Sequence, residues 1–327
     1  MKLSVVVPTL NGRDQLAACL DALAAHAPDA EVVVVNGPSA DGTTGMVRDR
    51  DDVDVLVEIS DRTVNVARNA GIEVASGDAV ALVDYDNRID ETWRDAVETG
   101  LADANVVTGP VQQEPTADEV TEAAEATGMP ETAETPGTPE TPETPERRTI
   151  GGCEVTYFEG GNVVFGGSAL RDLDGFDEYL HVGGARDASH RLAGMGHEVA
   201  WEPDLGVTRE PPATTAADGG RETRDWGWKY RGLAYRLAKN YGVKPTVLGR
   251  AVSHAVSDAW SVARDVVHGE ATPSSWAGNG RDVVVGMASG ASDGMMARAK
   301  DRSPARNPNG ISTRADRAVA KYDNRTK

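Results

Sequence analysis

The chain has 327 residues, enough for one substantial α/β core together with an insertion or a tail. Asp and Glu number 52 against 33 Lys and Arg, so the formal net charge is -19 at pH 7. This charge argues against a duplex-binding protein, because phosphate binding requires a concentrated basic surface, and we expect no nucleic-acid partner. Two cysteines are too few for a disulfide framework or a zinc ligand set.

The composition is acidic, poor in lysine and rich in alanine, valine and glycine, which is typical of proteins that stay hydrated in concentrated salt. We therefore expect a halophilic protein, although solubility at ordinary salt would also follow from such a charge. The apolar run from Leu3 to Val7 ends at Pro8, which does not fit a secretion signal. No stretch of about 18 apolar residues predicts a transmembrane helix. These observations predict a cytoplasmic location.

Strands and helices alternate along the first part of the chain. Residues 3–7 are a short apolar run that predicts a buried strand, and residues 13–26 place Leu16, Leu20 and Leu23 on one helical face. The alternation continues with 32–35 as a strand, 40–50 as a helix, 53–59 as a strand, 62–75 as a helix and 78–83 as a strand. This order predicts an α/β fold with a mainly parallel sheet and helices on both faces.

The second half of the chain is less regular. Residues 112–148 contain the repeat TPETPETPE and few large apolar residues, which predicts a disordered acidic insertion. Strand-like sequence resumes at 152–158 and 162–166, followed by a helix at 185–195 and a strand at 197–202. We predict a first domain over 1–225 that contains the insertion, a helical extension over 226–270 with a further helix at about 245–268, and a poorly ordered tail over 271–327.

Two carboxylates, in Asp84-Tyr85-Asp86, directly follow the buried run from Ala79 to Val83. In an extended segment residues i and i+2 point the same way, so Asp84 and Asp86 can reach one divalent ion. Mn²⁺ or Mg²⁺ held by one or two carboxylates plus substrate phosphates is a common arrangement for a diphosphate ligand. The alternative is that Asp84 only caps the following turn.

Three further motifs accompany this pair: Pro8-Thr9-x-Asn11, the segment from Asn36 to Thr43, and Asn65-x-x-Arg68-Asn69-x-Gly71. Together they resemble the family 2 inverting glycosyltransferases, which have the GT-A fold. The resemblance is strong over about residues 3–110 and moderate over 150–205. It implies sugar transfer with inversion from a nucleotide-sugar donor, assisted by a divalent metal. By this resemblance the residues that contact the nucleotide are Thr9, Asn11, Asn36, Asp41, Arg68 and Asp84, with Asp84 and Asp86 on the metal.

The chain departs from the family pattern at the second strand and in the acceptor half. Asn36 stands where the family usually has Asp, which changes the hydrogen-bonding pattern offered to the base of the nucleotide. In the acceptor half, Gly184 and Ala185 stand where the family usually has Glu-Asp, when aligned on Arg191-Leu192. The usual general base is therefore missing.

Three explanations of the missing base stay open. Asp187 lies half a helical turn away and is our candidate for the catalytic base, and His190 is another. Alternatively, the acceptor needs no base, as with a lipid phosphate that is already ionised at neutral pH.

Basic and aromatic residues recur from Arg224 to Arg236, which suits a diphosphate leaving group or an acceptor at a membrane surface. Equally, this stretch is typical of an amphipathic helix that packs its aromatic residues on a core. Family analogy alone suggests a lipid-linked glycan or polyprenyl phosphate as acceptor, peripheral association with the inner face of the membrane, and a haloarchaeal source. The rival interpretation is a non-catalytic GT-A-like module that only binds a nucleotide-sugar.

Overall fold

The computed structural model describes residues 1–114, 144–210, 226–242 and 273–325. Its strands are β1 Leu3–Thr9, β2 Glu31–Asn36, β3 Val55–Ile59, β4 Ala79–Val83, β5 Asn87–Ile89, β6 Val106–Thr108, β7 Val111–Gln113, β8 Arg147–Ile150, β9 Cys153–Thr156, β10 Asn162–Gly166, β11 Val199–Trp201, β12 Val207–Arg209 and β13 Ala318–Asp323. Its helices are α1 Arg13–His26, α2 Thr43–Arg48, α3 Val64–Val74, α4 Trp93–Asp103, α5 Gly167–Leu173, α6 Gly184–Met195, α7 Trp226–Tyr241 and α8 Pro273–Lys300, with a 3-10 turn at Ile311–Thr313.

The described strands form a central sheet in the order β11-β6-β10-β4-β1-β2-β3-β13. Strand β1 pairs in parallel with β2 and β4, and β2 pairs in parallel with β3. Strand β10 runs antiparallel to β4 and β6, and β13 runs antiparallel to β3. A mainly parallel sheet of this kind brings the carboxyl ends of β1, β2, β3 and β4 to one edge.

The core lies on both faces of this sheet, because successive side chains of a strand point to opposite faces. Val5 and Val7 pack on one face with Leu16 and Leu20 of α1, and Trp93 of α4 belongs to the same cluster. Val6 packs on the other face, in a cluster that includes residues of α3, α5 and α6: Val66, Ala70, Leu170, Leu173, Ala188 and Leu192. The predicted α/β fold with helices on both sheet faces is confirmed, as is helical structure after the first domain.

Two small sheets continue from the edge where β4 ends. Strands β5, β12 and β7 form one of them, and β8 pairs with β9 in the other. The loop after β4 leads directly into β5 at Asn87, so residues 84–86 connect the central sheet to the first small sheet. Functional side chains in this loop are therefore held at both ends by strands.

The structure differs from the prediction of a poorly ordered tail over 271–327. Helix α8 packs on α7 through Gly286, Gly290 and Gly294, where an added Cβ would collide with the α7 backbone. Strand β13 pairs with the edge of β3. The abundant glycine and asparagine suggested disorder, but here the small residues permit close helix packing.

Other predictions fall outside the described residues. These are positions 115–143 of the insertion, positions 211–225 of the first domain, and the helix predicted at about 245–268. At the borders of the predicted insertion, Val111–Gln113 and Arg147–Ile150 are strands. Within the described ranges, no helix combines the length and the apolar character needed to span a membrane.

Candidate functional site

A cavity of about 1180 Å³ opens where β4 ends, and residues from the starts of α3 and α6 and from α7 line it. A smaller cavity of about 260 Å³ adjoins it and shares Val64, Arg68, Asp84 and Asp86 as lining residues. Pockets for small ligands and cofactors are typically ~300–1,000 Å³. The larger cavity is therefore larger than a typical pocket for one ligand.

Asp84 and Asp86 lie at the junction of the two cavities, in the turn between β4 and β5. Tyr85, between them, packs with the core cluster of α1 and β1. The pKa of Asp86 is raised above its usual value, first by burial and then by the negative charge of Asp84. Arg209 lies 3.9 Å from the Asp86 carboxylate and lowers that pKa only in part. The site thus holds two carboxylates whose mutual repulsion is not fully offset.

Arg68 of α3 is buried beside these carboxylates, and its Nη2 donates a hydrogen bond of 2.9 Å to Asp84 Oδ1. Its Nε is buried without a hydrogen-bond partner among the described residues. Gly160 allows this close packing, since an added Cβ would lie 2.7 Å from the Arg68 guanidinium. Gly161 similarly leaves no room for a side chain beside Asp84. The guanidinium is therefore held at the cavity wall with donor capacity to spare.

The smaller cavity is bounded by the ends of β1 and β3. Thr9 lines it, and its buried Oγ1 has no hydrogen-bond partner among the described residues. Asp61 and Thr63 also line it, and both the amide and the hydroxyl of Thr63 donate hydrogen bonds to Asp61 Oδ1. Sequence reasoning missed Asp61, although its position just after β3 follows the rule that identified Asp84.

Three residues predicted to contact the nucleotide line neither cavity. Asn11, at a φ of 54°, accepts a hydrogen bond from the Ala40 amide through Oδ1. Asn36 is buried and donates to the Thr44 hydroxyl, at 2.8 Å. Asp41 accepts hydrogen bonds from the Arg13 amide and from Thr43. Asn11 and Asp41 thus join the loop after β1 to the loop after β2, and Asn36 holds the start of α2.

Asp187 also lies outside both cavities. It is fully buried on α6, where it accepts hydrogen bonds from Arg191 Nε at 2.9 Å, Lys239 Nζ at 2.8 Å and Asn240 Nδ2 at 2.9 Å. Burial alone would raise its pKa, but the charges of Lys239 and Arg191 outweigh that and lower it to about 2. A carboxylate with so low a pKa and no exposed surface is a poor proton acceptor. This arrangement does not support the predicted base role of Asp187.

His190, the other candidate base, is buried as well. Burial, and then the charge of Arg236, lower its pKa to about 3, so the imidazole is neutral at pH 7. Its Nδ1 lies 2.7 Å from the Tyr241 hydroxyl, and its ring packs edge-on against Tyr157. It does not line either cavity.

Gly184 and Ala185, where the family usually has its acids, do line the larger cavity. A Cβ on Gly184 would collide with the Asn65 side chain, whose Nδ2 donates to the carbonyls of Asp177 and Leu180. An acid at position 184 would therefore require Asn65 to move. The packing of this cavity wall therefore leaves no space for a side chain at position 184.

The fit of a divalent metal depends on Asp84 and Asp86. A cation beside Asp86 would offset the burial and the negative charge of Asp84, which raise the pKa of Asp86. Within the described ranges, no group of three or more His, Cys, Asp or Glu side chains is placed to hold a metal. A metal held by these two carboxylates would take its other ligands from a bound diphosphate and water.

A family model described as "Glycosyl transferase family 2" matches residues 4–170, which include β1, α3, the Asp84–Asp86 turn and β10. The match thus covers half of the chain and the residues at the junction of the two cavities.

Curated relatives share this part of the chain. The pre-mycofactocin glycosyltransferase of Mycobacterium tuberculosis is 26% identical over 212 residues, covering 64% of this chain and 42% of the relative. The glycosyltransferase AglE of Haloferax volcanii is 33% identical over 97 residues, covering 28% of this chain and 32% of the relative. Each match spans less than half of the relative's length.

Solved structures share the fold over most of the chain. TarS of S. aureus, residues 1–349 in complex with UDP-GlcNAc, has a TM-score of 0.58 at 17% identity, covering 96% of this chain and 89% of that one. The mannosyltransferase PcManGT of Pyrobaculum calidifontis, in complex with GDP-Man and Mn²⁺, has a TM-score of 0.50 at 20% identity, covering 88% and 86%. The architecture is that of the GT-A glycosyltransferases.

Proposed function

The chain belongs to glycosyl transferase family 2, and we propose that it is a glycosyltransferase that uses a nucleotide diphosphate sugar held across the two cavities. The observation that carries this proposal is the meeting of Arg68, Asp84 and Asp86 at the carboxyl end of β4. Ligands of α/β sheets bind at such an edge, where several strands present their last residues. The smaller cavity, with Thr9 and Asp61, suits the nucleoside, and the shared wall suits the diphosphate.

Arg68 binds the donor in this proposal. Its Nη2 already pairs with Asp84, and its buried Nε has no partner, so a phosphate oxygen would complete its hydrogen bonds. Charge-assisted bonds of this kind stabilise the nucleotide diphosphate as it departs from the sugar. Asn11, Asn36 and Asp41 would then act on the nucleotide only through the shape of the two loops that they hold in place.

Asp84 and Asp86 would hold the Mn²⁺ or Mg²⁺, which supplies electrostatic stabilisation of the diphosphate leaving group when bound. The support from this chain is the position of both carboxylates at the junction of the two cavities, in the turn that follows β4. The mannosyltransferase PcManGT, solved with Mn²⁺ and GDP-Man, agrees with this assignment at the level of the fold.

The proposed reaction is a single, direct displacement at the anomeric carbon, which inverts the configuration there. The acceptor enters from the side lined by α6 and α7, and a lipid-linked glycan or a polyprenyl phosphate is the proposed class. Such an acceptor would place the protein at the cytoplasmic face of a membrane. The acidic composition supports a halophilic source.

Binding of UDP and GDP, measured by titration calorimetry with and without Mn²⁺, tests the donor site. We expect binding of one of them to require the metal and to be lost in Asp86→Ala. The Asp103→Ala variant, at the exposed end of α4, is the matched control and should bind like wild type. Metal-independent binding that survives in Asp86→Ala would contradict the assignment.

A second candidate function is a nucleotide-sugar-binding module without turnover. It is favoured by the absence of an acid at Gly184 and Ala185 and by the burial of Asp187. Tight, metal-dependent donor binding without any release of nucleoside diphosphate, with membrane extract as the source of acceptors, would favour this module over the enzyme.

A further inference from the structure

The larger cavity ends at the first turn of α6, where its wall carries positive charge. Gly183 precedes the helix at a φ of 80°, and no side chain caps the helix there. The free amides of a helix N-terminus favour an anion. Gly184 and Ala185 add no carboxylate of their own, so this end of the cavity lacks the negative charge that the family pattern would place there.

Arg236 of α7 reaches this position. Its guanidinium lies so close to Gly183 that an added Cβ would be 2.5 Å from Nη1. Its Nε is fully buried without a hydrogen-bond partner among the described residues. Burial, and then the charge of Arg186, lower the pKa of Arg236 to about 10, so the guanidinium is charged at neutral pH but poorly compensated. A buried cation with unused donors is costly unless something binds it.

Neighbouring cations of the same wall are already paired. Arg186 Nη2 lies 2.6 Å from Glu146, which also binds Arg148 at 3.0 Å, and the Arg186 guanidinium stacks on the Tyr157 ring at 4.4 Å. Arg236 differs from these because no carboxylate contacts it among the described residues. In a chain with a net charge of -19, a cavity-wall arginine with no carboxylate partner in the described part of the chain is a specific feature.

We infer that the acceptor is a phosphate monoester, bound by Arg236 and the first turn of α6, whose ionised oxygen attacks the sugar without a protein base. This inference rests on the proposed function and narrows its acceptor class. A bond forms between a phosphate oxygen and the anomeric carbon, and the bond from that carbon to the diphosphate oxygen breaks. The departing nucleoside diphosphate takes the electron pair. The monoester dianion becomes a diester monoanion, so no proton has to be removed. The reaction therefore needs no carboxylate base at position 184 or 185.

Four probe acceptors distinguish the effect of a phosphate group from the effects of a lipid chain and of a hydroxyl group. They are farnesyl phosphate, glucose 6-phosphate, farnesol and octyl glucoside, each tested with wild type, Mn²⁺ and a panel of UDP- and GDP-sugars. We expect nucleoside diphosphate release with farnesyl phosphate and none with farnesol or octyl glucoside. Glucose 6-phosphate decides whether the source of the phosphate is a lipid headgroup or a soluble ester. Turnover with octyl glucoside but with neither phosphate would overturn the inference.

Variants of Arg236 test the binding site itself. Arg236→Gln should raise KM for the phosphate acceptor about tenfold to hundredfold with a smaller change in kcat, because it removes charged hydrogen bonds to the acceptor. Arg236→Lys keeps the positive charge but loses the planar guanidinium, so its KM should lie between those of wild type and Arg236→Gln. Arg231→Gln, on the same helix but paired with Asp293, is the matched control and should stay within about twofold of wild type. An unchanged KM in Arg236→Gln would refute the role of this residue.

A direct binding measurement completes the test if no probe is turned over. Farnesyl phosphate should bind wild type saturated with Mn²⁺ and nucleoside diphosphate, and bind Arg236→Gln at least tenfold more weakly. No binding to wild type would overturn the acceptor class. Failure of the nucleoside diphosphate itself to bind with Mn²⁺ would instead show that the proposed donor site is wrong, so the two failures are distinguishable.

Discussion

Replacing Asp187 by Asn tests whether this carboxylate holds the fold together or takes part in the reaction. Asp187 binds Lys239 and Arg191 with no exposed surface. In the variant, Lys239 keeps its contact with Asp177 at 2.6 Å. The negative charge of Asp187, which balances the charges of Lys239 and Arg191, is lost. Breaking a buried ion pair on one side costs about 3–5 kcal/mol. We expect Asp187→Asn to lower the free energy of unfolding by that amount at pH 7.

The pH dependence of the free energy of unfolding tests the stabilising role of Asp187 independently. The pKa of Asp187 is lowered to about 2 in the folded protein, against an ordinary value near 3.8. Its stabilising effect is therefore fully present above about pH 4 and is lost as the pH falls towards 2. The difference in unfolding free energy between wild type and Asp187→Asn should shrink over the same range.

Urea unfolding and turnover, measured on the same preparations, separate the two roles. Asp172→Asn is the matched control, because Asp172 is exposed and pairs only with His197 among the described residues, and it should change stability by less than about 0.5 kcal/mol. If Asp187→Asn kept wild-type stability but lost ~10²–10⁴-fold in turnover, the carboxylate would be the general base and our account of the acceptor wall would be wrong.

Three further predictions concern the parts of the chain around this site. Replacing residues 115–143 with a short Gly/Ser linker should leave the thermal midpoint nearly unchanged, since their composition offers few core contacts, and a large loss would contradict this. Deleting residues 318–327 should lower the midpoint and promote self-association, visible by light scattering, because it exposes the edge of β3; a monomer of unchanged stability would disprove it. Gly290→Ala should lower the free energy of unfolding by about 1–3 kcal/mol through a clash with α7, whereas Gly45→Ala, in open space on α2, should not; equal effects would refute the packing argument.

Much of the fold could be predicted from the sequence, because strands buried on both faces appear as continuous apolar runs. The run from Leu3 to Val7 lies within β1, and the helix predicted over 13–26 has those bounds in the structure. The C-terminal part could not be predicted in this way. Helix α8 depends on glycines whose value comes from contact with α7, and single-residue propensity counts them against a helix.

The site could be predicted only in part. Asp84 and Asp86 follow a buried strand directly and both line the cavities, but they do so from a turn and not from the extended segment that the sequence suggested. Asn36 and Asp41 follow β2 in the same manner, but Asn36 bonds to Thr44 and Asp41 to the Arg13 amide, and sequence carries no sign of these partners. For Asp187, the deciding partner was Lys239, 52 residues away, which no local pattern reveals.

Detection of the transferred sugar tests the central claim most directly. Wild type would be incubated with Mn²⁺, a nucleotide-sugar that it binds, and farnesyl phosphate or a membrane extract, and the product analysed by mass spectrometry and NMR. The account predicts a glycosylated acceptor with the opposite anomeric configuration to the donor, absent with excess chelator and with Asp86→Ala. Donor that stays intact under all these conditions, or a product with retained configuration, would contradict it.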